Sequence, residues 1–99
     1  MTLRVKVSAR AASQVRRAAK WWLENRPSAP GAIATDFGET INLLAEQPGI
    51  GSKCAGTRAL GVRRLYLGRV GYFVYYRASA DALEVLAFWH ARRGRQPKL

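Results

Sequence analysis

Leu3, Val5 and Val7 alternate with Arg4, Lys6 and Ser8. This period of two predicts a half-buried strand. From about Ala9 the period lengthens: Ala11, Val15, Ala18, Ala19 and Trp22 recur at helical spacing, while Arg10, Arg16, Arg17, Lys20 and Glu24 fall mostly elsewhere. The segment is rich in Ala and Arg, both good helix formers. Pro27 should end this helix near Asn25, because a residue before proline is pushed out of the helical region.

A second helix is expected from around Pro30, since proline suits a first helical turn and Ser28 is available as a cap. Its apolar stripe is Ile33, Phe37, Ile41 and Leu44, and the breaker Gln47-Pro48-Gly49 closes it. Ile50 to Leu60 reads as a loop. The period of two then returns in Val62–Leu67, Tyr72–Arg77 and Leu83–His90. The turns between them, Gly68–Gly71 and Ser79–Ala82, are short enough to force antiparallel hairpins. Runs of helices and runs of strands indicate an α+β fold. The expected order is an N-terminal strand, an αα-hairpin and a three-stranded antiparallel meander, with the helices on one sheet face and the other face open.

The chain has 99 residues, enough for one domain spanning 1–99 and for a core without staples. One cysteine, Cys54, excludes an internal disulfide and a multi-cysteine metal site. No apolar run approaches the ~18 residues of a membrane span, and the start of the chain lacks an apolar signal segment. The expected location is therefore the cytoplasm. Charge changes the picture more: 17 Lys+Arg stand against 6 Asp+Glu, a formal net charge of +11. Most of the cations are arginines, whose planar forks pair with carboxylate or phosphate through two bonds. Such a surplus calls for a polyanionic partner, either nucleic acid or an acidic protein.

Strand alternation assigns the faces. Leu65 and Leu67 belong inside, which turns Arg64 and Tyr66 to the open face. Tyr72, Val74 and Tyr76 form one set, and Phe73, Tyr75 and Arg77 the outward one. Aromatics interleaved with arginine can stack on bases and touch phosphates, or cover apolar residues of a partner protein. Beyond the last strand, His90-Ala91-Arg92-Arg93-Gly94-Arg95 is the densest polar cluster. It reads either as a solvated tail or as an anion-contacting tip held by the strand before it, and we favour the tip.

Hydrolytic machinery is hard to assemble from this chain. His90 is its single histidine, no G-x-S-x-G turn is present, and the glycines at 49, 51, 56 and 61 do not form a phosphate loop. Cys54 beside Lys53 raises the prospect of a lowered thiol pKa, although an incidental thiol is the simpler reading. No cofactor or metal is expected.

Several segments together resemble the RelE/ParE superfamily of type II toxin–antitoxin (plasmid stabilisation) modules. They are Trp21-Trp22-Leu23-Glu24-Asn25-Arg26-Pro27, Leu44 to Gly51, Gly61-Val62-Arg63-Arg64-Leu65, Tyr72 to Arg77, and above all Val85-Leu86-Ala87-Phe88-Trp89-His90-Ala91-Arg92-Arg93. The last of these is similar to the ParE branch. The superfamily holds ribosome-dependent messenger endoribonucleases of RelE type and DNA gyrase poisons of ParE type. Laid on the RelE pattern, Arg64 stands at a catalytic lysine, Tyr66 at a second lysine and Phe73 at a key arginine. Arg93 matches the arginine after the last strand, and Lys98-Leu99 lacks the final tyrosine.

The resemblance therefore implies a ParE-like gyrase inhibitor without catalytic residues, neutralised by a cognate antitoxin whose C-terminal segment wraps it in a hetero-oligomer. On that reading His90, Arg92, Arg93 and Arg95 contact the target. Arg63, Arg64, Tyr76 and Arg77 hold the antitoxin or orient the tip. A ribonuclease, the alternative, would rest on Arg64, His90 and Arg93.

Overall fold

The computed structural model describes residues 2–99. Strand β1 (Arg4–Val7) leads into helices α1 (Ala9–Asn25) and α2 (Ala32–Glu46). A 3-10 turn (Pro48–Ile50) and the short strand β2 (Ser52–Lys53) follow, then β3 (Arg63–Leu67), β4 (Tyr72–Ala78) and β5 (Ala82–His90), with a second 3-10 turn at Ala91–Arg93. The sheet order is β1-β5-β4-β3-β2. The meander is antiparallel as expected, and β1 joins it parallel to β5. A parallel neighbour needs a long crossover, which the two helices supply.

Ser8 caps α1, its Oγ accepting the Ala11 N–H at 3.0 Å and lying 3.3 Å from the Leu86 carbonyl, to which it donates. The helix ends at Asn25, before Pro27. The start of α2 differs from expectation: Pro30 lies in the preceding turn, Gly31 is the N-cap, and no side chain caps it. The expected loop contains β2, which pairs with Arg63 and Arg64. β1 is exposed along its whole length rather than half-buried, because it forms the sheet edge, and Leu3 just before it packs against the core.

The main core lies between the helices and one sheet face. Ala11, Ala18, Ile33, Ile41 and Leu44 meet Leu67, Val74, Tyr76, Leu83, Val85 and Phe88. The assignment of Tyr72, Val74 and Tyr76 to this side holds. A register shift opposite Tyr75 and Tyr76 leaves Leu86 without a partner on β4. Leu86 and Ala87 therefore both pack on the outer side, as a β-bulge allows.

The outer face is not bare. Val62, Tyr75, Ala87 and Trp89 form a second buried cluster, covered by Cys54, Ala59 and Leu99. The residues after β5 cross this face as a strap. Gly94, at φ +69°, permits the reversal. Gln96 Nε2 donates to the Ala55 carbonyl at 2.8 Å, the N–H groups of Arg58 and Ala59 donate to the Leu99 carbonyl, and Arg10 Nη1 donates to the Lys98 carbonyl at 2.6 Å. Tyr75, expected on an open surface, is 1% exposed beneath this cover.

Candidate functional site

The proposed tip sits where β5 ends. The sheet ladder holds His90 opposite Tyr72, and the Ala91 N–H donates to the Gly71 carbonyl at 2.9 Å. His90 Nδ1 accepts the Arg92 N–H at 3.1 Å, which starts the 3-10 turn and fixes the imidazole orientation. Arg93 lies over the Trp89 ring, its Cζ 3.9 Å from the centroid, and Trp89 Nε1 donates to the Arg95 carbonyl at 2.7 Å. The arginines after β5 are thus carried on a bonded backbone rather than a loose tail. Among the described residues, the ion pairs are Arg4–Asp81, Arg69–Asp36 and Arg77–Glu84. Arg92, Arg93 and Arg95 take part in none of them, so their charge is available to a partner.

His90 divides two clefts. On the helix side, a cleft of about 430 Å³ is lined by Trp21, Trp22, Tyr72, His90, Arg92 and Arg93. The sequence favours packing for both tryptophans, with Trp22 on the apolar stripe of α1. Their place beside the arginines depends on a contact between segments roughly seventy residues apart, which no local spacing reports. Burial pushes the Tyr72 phenol up, and Arg93 offsets part of that rise.

On the outer side, a smaller cleft of about 270 Å³ brings together Arg64, Phe73, Trp89, His90 and Arg95. Here Arg64 Nη1 donates to the Tyr75 hydroxyl at 3.2 Å, and its Cζ lies 4.2 Å from the Phe73 centroid. Arg93 is not among the residues lining this cleft. The Arg64, His90 and Arg93 set named for a ribonuclease is therefore split between the two clefts.

The four residues named for antitoxin contact occupy three different settings. Tyr76 is 0% exposed, so its expected place at a surface is corrected: it braces the Pro48–Gly51 turn from within. Arg63, its partner across the sheet, supports the same turn by donating to the Gly51 carbonyl at 2.7 Å. Arg64 is half-buried on the outer face. Arg77 Nε donates to Glu84 Oε1 at 2.7 Å. At Cys54 the prospect of a lowered thiol pKa is not met, which leaves the simpler reading of an incidental thiol. Burial pushes its thiol up, and the nearby Arg64 offsets that only in part.

The sequence profile described as the ParE toxin of the type II toxin–antitoxin system, parDE, matches residues 5–95. The chain belongs to the ParE toxin family. Among curated proteins none matches it. Solved structures with the same fold include a chain titled "Chromosomal ParDE TA system from P. aeruginosa". That chain is 17% identical, with a TM-score of 0.74, and the match covers 92% of this chain and 98% of that one. For this ParE-family chain the likeness concerns the fold: a sheet with two helices on one face. Among the described residues, no helix is long and apolar enough to cross a membrane, and no group of His, Cys, Asp and Glu is placed to hold a metal.

Proposed function

We propose that this ParE-family chain acts in the cytoplasm as a DNA gyrase inhibitor that blocks replication, neutralised by a cognate antitoxin. The observation that carries this reading is the tip itself. Arg92, Arg93 and Arg95 leave the rigid end of β5 with no acidic partner among the described residues, close to a histidine already engaged by the backbone. Such a tip suits gripping an anionic or polar target rather than cycling protons. Phosphodiester cleavage requires a base, an acid and charge stabilisation in one place. Here Arg64 lies over Phe73 and donates to the Tyr75 hydroxyl in the outer cleft, while Arg93 lines the other cleft, so the three groups do not share one site.

The antitoxin is expected to bring an acidic segment that folds on binding and offsets part of the +11 charge. Arg64 and Arg77 would meet it directly, with its carboxylates competing against Glu84 for Arg77. Arg63 and Tyr76 would act through the turn that they brace. The product is a toxin–antitoxin hetero-oligomer.

One observation keeps a ribonuclease as the second reading: Arg64 and His90 line the same outer cleft. Induction in cells separates the two. A gyrase inhibitor produces a DNA-damage response and stalled cleavage complexes, and the purified protein inhibits supercoiling. Cut messages with supercoiling untouched would replace it with the ribonuclease.

A further inference from the structure

The helix-side cleft combines flat π surfaces with guanidinium groups that have no acidic partner among the described residues. Its floor is rigid: Tyr72 stacks on Phe88 with centroids 4.5 Å apart at 4°, and meets His90 edge-on at 4.9 Å. One wall is Trp21, 47% exposed, set edge-on against Trp22 at 6.2 Å. Arg26 lies over both indoles, its Cζ 5.2 Å and 5.8 Å from their centroids. Arg17 stands one helical turn before Trp21. Arg92 and Arg93 line it as well, and no carboxylate is among the lining residues. Glu24, one turn beyond Trp21, is the acidic residue of α1.

Aromatic faces beside unpaired arginines suit a planar ring that carries an attached anion. A nucleotide has that chemistry: its base stacks on an aromatic side chain and its phosphate pairs with guanidinium. The volume of about 430 Å³ is within the ordinary range of small-ligand sites. An acidic peptide would use the arginines but leave the exposed Trp21 face without a planar partner.

We propose that this cleft seats an unpaired nucleotide of DNA, with its base against Trp21 over the Tyr72 floor and its phosphates on Arg92 and Arg93. The proposal rests on the gyrase reading, in which the target enzyme carries DNA in a stalled cleavage complex. It adds that the toxin grips the nucleic acid as well as the protein.

The test is direct binding of the full chain to a labelled oligo-dT of about ten nucleotides, a length typical of single-strand sites, followed by fluorescence anisotropy across a salt series. Wild-type protein binds the oligonucleotide more tightly than duplex DNA of equal length. Trp21→Ala weakens binding roughly tenfold with the salt slope unchanged, because it removes stacking and no phosphate contact. Trp21→Phe retains most of the affinity. The Arg92→Ala/Arg93→Ala double variant lowers the salt slope by about 1.4, the counterion release of two single-strand phosphates.

The proposal fails if Trp21→Ala binds as wild type does, if duplex DNA or the matching RNA binds more tightly, or if polyglutamate displaces the oligonucleotide with the same dependence on Trp21. Circular dichroism confirms that each variant is folded. A parallel supercoiling assay keeps the two readings apart. Gyrase inhibition without oligonucleotide binding overturns only the nucleotide site, whereas binding without inhibition overturns the gyrase reading.

Discussion

The Tyr76 hydroxyl accepts the Gly51 N–H at 2.9 Å and donates to the Pro48 carbonyl at 2.7 Å. One buried phenol thereby satisfies both backbone groups of the turn that joins α2 to β2. Gly51 has no space for a side chain: a Cβ there would meet Tyr76 Oη and lie 2.8 Å from the Arg64 carbonyl. The approach of Tyr76 to Gly51 fixes the end of the sheet that carries Arg63 and Arg64.

Tyr76→Phe keeps the ring and leaves the Gly51 N–H and the Pro48 carbonyl unpaired, a loss of about 1–3 kcal/mol. Gly51→Ala should cost at least as much, because backbone as well as side chain must move. Urea denaturation with unchanged m-values checks both. A Gly51→Ala variant as stable as the parent would show that the turn is not held as described.

Alkaline pH should destabilise the fold through Tyr72 and Tyr76. Burial pushes both phenols up in the folded state, while in the unfolded chain they ionise near the ordinary value of about 10. Their contribution is complete below that value and is lost as pH rises through the higher folded values. Urea midpoints between about pH 8 and 11 should fall at the alkaline end. Tyr76→Phe, though weaker at neutral pH, should show a shallower decline.

Cys54 should react slowly with alkylating reagents at neutral pH, despite Lys53 beside it. Its thiol is pushed above the ordinary value of about 8.5 by partial burial against the outer cluster. Carboxymethylation rates followed against pH should still be climbing at that value. A plateau below neutrality would contradict the packing of Cys54.

Arg92→Ala/Arg93→Ala should abolish growth arrest while leaving the fold in place. Both side chains are exposed, and removing Arg93 from the Trp89 ring costs under about 1 kcal/mol. Growth on induction, together with the thermal unfolding of the purified variant, decides it. Arrest at the parental level would show that the tip does not contact the target.

The limits of the sequence reading are clearest at Tyr75 and Tyr76. Alternation placed them on opposite faces, which the structure bears out. It could not show that Tyr75 lies under the strap, because the covering residues come from a loop and from the segment after β5, neither of which has a period to read. The bulge at Leu86 was hidden for a similar reason, since an extra residue is defined only against the partner strand. Trp21 and Trp22 were legible as one end of a helix and not as the wall of a cleft.

The sequence by itself determined the helices, the meander, the face on which the helices pack and the surplus of arginine. Each of these follows from local spacing or from composition. Only the tertiary structure decided that β1 runs parallel to β5, that the outer face is roofed, and that the tryptophans of α1 meet the arginines beyond β5. Those relations join residues far apart along the chain, and they are set by which buried surfaces fit together rather than by any repeat within a segment.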